Sequence, residues 1–235
     1  MIAHMFLNLD IAETPLSPLV VKHPFTDSSI TGLKSEDGSL RIGDLLNKPD
    51  DLAEWRKMVG GFIDEAESAT QVFSLITKSY LLAFLAQTAG ALSEADIASI
   101  LPDVWMRTEA PHNDPNVSRA DMIRLFRLSD PAMLMDEKEY RIWQELDDIV
   151  TVFRGVTSYN AANIEAFSWS LNRDVAEWFA HRFGEEGTVY EAQIPKERIF
   201  AVFNGRNEME AVVDPRYLQN VMEAPELEQE PTMAL

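Results

Sequence analysis

Three short segments between Val150 and Pro215 decide how this chain is read. They are Val150-Thr151-Val152-Phe153-Arg154-Gly155, Ala166-Phe167-Ser168-Trp169-Ser170-Leu171 and Asn207-Glu208-Met209-Glu210-Ala211-Val212-Val213. The first is a β-branched and aromatic run that ends in an arginine. The second alternates apolar side chains with hydroxyls. The third places two glutamates at the head of an apolar run. Each has the composition of a short strand. Between the second and third, Asn172 or Asp174 caps an amphipathic helix with Val175, Trp178, Phe179 and Phe183 facing inward, and Gly184 ends it. Thr188 to Ile194 alternates as a strand and Ile199 to Phe203 reads as another. Asn204-Gly205 is a turn signal, and Asp214-Pro215 closes the last strand.

Outward from this stretch the character changes. Residues 48–148 read as helices. Asp50 or Asp51 caps one with Leu52, Trp55, Met58 and Val59 on a face, and Gly60-Gly61 is expected to break or bend it. Phe73, Ile76, Tyr80, Phe84 and Leu85 continue at helical spacing, with Gly90 as a stop. Ser93 and Asp96 frame a short helix that Pro102 is expected to end. Ser118 with Asp121 and Asp136 with Glu139 frame two more starts, and residues 109–116 read as loop. Residues 1–47, with prolines at 15, 18 and 24, are poorly periodic and read as an extended arm. Residues 217–235 end the chain; from Glu223 onward they are acidic, carry proline and lack Lys and Arg, so they read as a disordered tail. The expected class is therefore α+β: a helical N-terminal region packed beside a split, mostly antiparallel sheet formed by 149–216.

A hydrophobic fraction of 46% against 25% charged residues is enough for a sizeable core. The formal charge of -19 argues against duplex nucleic acid or an anionic membrane as the main partner, because both need a basic surface. With no cysteine, disulfides, thiolate metal sites and cysteine nucleophiles are excluded. Four histidines without a second histidine at ligand spacing make a metal site unexpected. Met1 to Met5 lacks a basic n-region followed by an apolar run, and Tyr80 to Ala91 falls short of the roughly 20 residues of a membrane span. A cytoplasmic location is the expectation.

Taken singly, Arg154, the serines and the glutamates are ordinary. A strand-end arginine usually pairs with a neighbouring acid, strand serines are usually inert, and glutamates at i and i+2 after a turn usually form a solvated hairpin face. Such a pair on one strand stands roughly 6.5–7 Å apart.

In this order, however, Phe153-Arg154-Gly155, Ser168-Trp169-Ser170 and Glu208-Met209-Glu210 resemble the mono-ADP-ribosyltransferase superfamily, in its Arg-Ser-Glu branch. That family carries an aromatic-Arg on a first strand, a Ser-x-Ser strand and a Glu-x-Glu at the head of a later one. The resemblance covers about residues 150–215. It implies NAD as the substrate, bound by Arg154 with Phe153, Gly155, Ser168, Trp169 and Ser170. It implies Glu210 as the catalytic glutamate, Ser168 as the hydroxyl that orients it, Ser170 as support for the strand and Glu208 as the group that positions the acceptor. Glutamate at that first position goes with arginine as acceptor, so the implied partner is a macromolecule, a protein modified on arginine.

The chemistry suits those residue types. Loss of nicotinamide passes through an oxocarbenium-like state that a carboxylate stabilises. A second carboxylate can orient or deprotonate the acceptor, and an arginine fork matches the paired oxygens of a pyrophosphate. Glu210→Gln is expected to abolish transfer and to leave melting nearly unchanged, as for an exposed strand-head carboxylate. Two alternatives stay open: NAD glycohydrolysis with water as acceptor, and a non-catalytic acidic inhibitor of phage or mobile-element type that occludes a basic partner.

Overall fold

The computed structural model describes residues 1–35, 37–108, 114, 116–184 and 186–225. It is an α+β protein that divides into two compact units, Met1–Asp130 and Pro131–Leu235. The boundary falls inside the region expected to be helical throughout. The helices Pro131–Leu134 and Glu137–Glu145 belong with the C-terminal sheet, because Met135 and Trp143 contact its strand Ile199–Phe203.

In unit 1, residues 1–47 are not an extended arm. They hold helix α1 (Ile2–Leu7), a three-stranded antiparallel sheet of β1 (Ala12–Glu13), β2 (Val20–His23) and β3 (Thr26–Ser28), and a hairpin of β4 (Ile30–Lys34) with β5 (Leu40–Asp44). These strands are two to five residues long and each buries one or no apolar side chain, such as Val21 or Leu33. Alternation that short leaves no periodic signal.

Helix α2 (Pro49–Asp64) starts at Pro49 with Lys48 as its N-cap. Asp51 does not cap it. Its carboxylate instead accepts from the Asp44 N–H at 2.8 Å and from Arg41 at 2.7 Å. The helix continues without a break through Gly60-Gly61. Each glycine costs about 1 kcal/mol of propensity, but the flanking Val59 and Ile63 are buried and α1 lies on Gly60, where an added Cβ would touch the His4 ring at 3.5 Å.

Two short helices follow, α3 (Ala69–Ser74) and α4 (Leu81–Thr88). Phe84 packs edge-on to Phe6 and Phe73, both at 5.0 Å. Helix α5 (Glu94–Arg107) opens with the Ser93/Asp96 capping box, as its sequence indicates. It does not end at Pro102. A proline there costs about 3 kcal/mol or more, and burial of Leu101, Val104 and Trp105 on either side outweighs it. Helix α6 (Arg119–Arg127) is capped by Ser118 and packs Phe126 against Trp105 at 5.2 Å.

Unit 2 begins with α7 (Pro131–Leu134) and α8 (Glu137–Glu145), the latter capped by Asp136 and Glu139. Its strands are β6 (Ile149–Val156), β7 (Ser168–Ser170), β8 (Thr188–Pro195), β9 (Ile199–Phe203), β10 (Glu210–Val213) and β11 (Gln219–Glu223), with α9 (Arg173–His181) between β7 and β8. The sheet order is β11-β8-β6-β7-β10-β9, and every pairing is antiparallel. The start of the expected tail is thus an edge strand: Glu223 pairs with Tyr190 and Met222 with Glu191. Residues 226–235 lie outside the described residues.

The sheet is split. β6 pairs with β8 from Ile149↔Pro195 to Val156↔Thr188, yet it meets β7 only at Phe153↔Ser170. One half is β11-β8-β6 and the other β7-β10-β9. Helix α9 covers β6 at Gly155, where a Cβ would stand 2.3 Å from Ala176 O and 2.5 Å from Ala180 N. Only glycine permits that approach.

Candidate functional site

The single bridge between the two halves anchors a row of residues across the sheet. Phe153 faces Ser170, Ser170 faces Glu210, and Glu210 faces Phe203. Directly opposed residues share a face, so Ser170, Glu210 and, two residues along, Ser168 with its partner Val212 lie on one side of the β7–β10 pair. Beyond the bridge the strands part.

Arg154 closes that gap. Strand alternation sends its Cβ to the face opposite Phe153, but the side chain is long enough for Nη1 to donate to the Ser168 carbonyl at 2.5 Å. Arg154 is 8% exposed, and its Nε–H is buried with no hydrogen-bond partner among the described residues. Burial pushes the guanidinium from its ordinary value down to about 10; the charge of Glu210 raises it and that of Arg182 lowers it further. It remains a cation at neutral pH. Glu210 is itself buried at 6% exposure. The exposed strand-head carboxylate expected from the sequence is therefore a buried one, because β9 and β7 flank it on both sides.

The remaining residues divide by role. The Ser170 hydroxyl is committed to the local chain: it donates to the Glu208 carbonyl at 2.8 Å and accepts from the Asn172 N–H at 3.0 Å. The Ser168 hydroxyl makes no hydrogen bond among the described residues, so the expected clasp on Glu210 is not made here. Three residues implied to touch the dinucleotide have packing roles instead. Phe153 lies against Ala176, Ala180 and Val189. Gly155 lies under α9. Trp169 is 2% exposed and donates its indole N–H to Ala166 O at 2.9 Å.

Glu208 is not on a strand with Glu210. β10 begins at Glu210, and Met209 has φ 44°, a left-handed conformation that breaks the alternation. Asn207, at φ 57°, is left-handed too. The two carboxylates therefore do not share a strand face. Glu208 pairs instead with Arg206 at 3.1 Å. The loop is pinned by Asn204, whose Oδ1 accepts from Met209 N–H at 3.2 Å and whose own N–H donates to Glu139 at 2.6 Å.

Sequence reasoning missed three contributors. Glu139 was legible as a capping residue, but its second bond to Asn204 spans 65 positions. Asn160 ties the loop after β6 back to Thr157 and Gly155. Arg182, which stacks on Phe179 at 4.9 Å, brings a second guanidinium charge to bear on Arg154, with no spacing signal to announce it.

In unit 1, an open groove of about 550 Å³ is lined by Lys34, Ser35, Asp37, Arg41 and Glu54. Its arginine is already held by Asp51 and Glu54. Among the described residues, no helix is long and apolar enough to cross a membrane.

No family model matches this chain. No curated protein and no solved structure matches it either.

Proposed function

We propose that unit 2 is an NAD-dependent mono-ADP-ribosyltransferase that moves ADP-ribose to a macromolecule, namely a protein, with arginine as the acceptor side chain. An ADP-ribosyltransferase-like fold is the finer description this reading gives to the split antiparallel sheet. One observation carries it: in a chain of net charge -19, the buried guanidinium of Arg154 stands where β6 and β7 share a single bridge, near enough to buried Glu210 and to Arg182 for the charge of each to act on it. Like charges set together in a partly dry site favour an anion, and a buried N–H without a partner favours an acceptor. A pyrophosphate supplies both.

In this reading Arg154 holds the dinucleotide's phosphate or ribose. The carboxylate of Glu210 stabilises the positive charge that develops on the ribose as nicotinamide leaves. Ser168 has a hydroxyl available to bond that carboxylate or a ribose hydroxyl, and Glu208 receives the acceptor. The test is incubation of the chain with labelled NAD and a cell lysate, with Glu210→Gln as control. Label on a macromolecule that disappears in Glu210→Gln is expected. A folded chain that neither labels anything nor depletes NAD sinks the proposal. Release of free ADP-ribose without label would assign glycohydrolysis instead.

The charge of -19 also favours a second reading, a non-catalytic protein that occludes a basic partner. Capture of that partner surviving both Arg154→Ala and Glu210→Gln, with no heat of NAD binding, would select it.

A further inference from the structure

We infer that Arg206 is a self-acceptor: its guanidinium is presented in cis to Glu208 and takes ADP-ribose from the same active site. The inference rests on the transferase reading of unit 2 and adds a modification site to it.

The argument starts from the acceptor position. In that reading, Glu208 selects a guanidinium by charge and by the match between a planar fork and a carboxylate. Here a guanidinium is already there, with Arg206 Nη2 3.1 Å from Glu208 Oε2. The Arg206 side chain is 55% exposed and that of Glu208 25%, so the pair is open to a substrate.

An i,i+2 pair of this kind is not a by-product of regular strand geometry. It arises because Asn207 and Met209, on either side of Glu208, both take left-handed backbone conformations. The Asn207 N–H also bonds back to Asn204 O at 2.9 Å, curling Arg206 over the loop. Ser170 meanwhile ties the Glu208 carbonyl to the residue in register with Glu210. Glu208 and its guanidinium are thus anchored two residues before the carboxylate that would face the ribose, just ahead of β10. An acceptor carried on the same loop reacts at an effective concentration far above that of a free one.

The step balances without an oxidant. The lone pair of an Arg206 Nη nitrogen forms a bond to C1′ of the NAD ribose as the C1′–nicotinamide bond breaks. Nicotinamide leaves neutral with the bonding pair. One guanidinium proton passes to the Glu208 carboxylate and on to water, and the substituted guanidinium keeps its positive charge.

The experiment incubates the full chain with NAD, with and without the small guanidine agmatine, and maps the modification by peptide mass spectrometry. One ADP-ribose on the Arg206 peptide is expected, formed at a per-molecule rate that does not fall on dilution. Arg206→Lys keeps a cation beside Glu208 but offers no guanidine, and it should lose the label while agmatine is still modified. Agmatine modified with Arg206 bare, a label confined to another residue, or a rate that falls with dilution overturns the inference and leaves the transferase reading standing. Neither agmatine nor chain modified, with NAD intact, overturns both.

Discussion

Arg154 Nη1 donates to the main-chain carbonyl of Ser168 at 2.5 Å, at the place where the backbone ladder between β6 and β7 lapses. A side chain supplies there what the next rung of the sheet would have supplied. The arginine therefore links the two halves of the sheet through its side chain. Arg154→Ala removes the bond and takes its charge away from buried Glu210, so it should cost about 3–5 kcal/mol. Arg154→Lys keeps the charge but loses the fork, for about 1–2 kcal/mol. Urea unfolding reads both, and an alanine variant with the wild-type midpoint would show that the bond holds nothing.

Gly155 and Gly61 make opposite predictions from the same substitution. A Cβ at Gly155 would meet the backbone of α9 at 2.3 and 2.5 Å, and main chain cannot swing aside as a flexible side chain can. Gly155→Ala should cost about 3 kcal/mol or more. Gly61 lies inside α2 with nothing within 4 Å of its missing Cβ, so Gly61→Ala should stabilise by about 0.5–1 kcal/mol. Thermal unfolding of the pair checks the sign of each. A neutral Gly155→Ala would mean that α9 stands off from β6.

The two glutamates of the Glu-x-Glu segment should also separate. Glu208 is paired at an open loop with Arg206, and exposed pairs of that kind contribute about 0–1 kcal/mol, so Glu208→Gln should leave the unfolding midpoint nearly where it was. Glu210 is buried and its charge acts on the Arg154 guanidinium, so Glu210→Gln should cost about 1–3 kcal/mol. Equal midpoints for the two variants would place Glu210 in a solvated setting.

That contrast marks how far the sequence was legible. The alternation of Thr188–Ile194, the Asn204-Gly205 turn, the Asn172 cap of α9 and the capping boxes at Ser93 and Asp136 are local rules, and the structure follows each of them. Burial of Glu210 is decided by which strands flank it, and the left-handed Met209 has no residue-type signature because it is neither glycine nor asparagine. Pro102 misreads as a helix end and Gly60-Gly61 as a break because local propensity is worth a few kcal/mol, and apolar burial along α5 and α2 exceeds it.

His23 makes the stability of unit 1 depend on pH. It is 1% exposed, its Nδ1 accepts from the Phe25 N–H at 3.1 Å, and its ring meets Trp55 edge-on at 5.2 Å. The proton of the neutral ring therefore sits on the buried Nε2. Burial, and then the charge of Arg56, lower its pKa from 6.5 to about 4, against a smaller opposing effect of the Leu9 and Leu7 backbone. The folded state favours the neutral ring. Its contribution is fully present above the unfolded value and is lost as pH falls through the window between the two. Carboxylates titrate in the same range, so the measurement is the stability difference between wild type and His23→Gln, taken from urea unfolding at neutral pH and again near pH 4.5. That difference should move against the wild type by about 2–3 kcal/mol on acidification. A difference that does not change would mean that protons reach His23 in the folded protein as readily as in the unfolded chain.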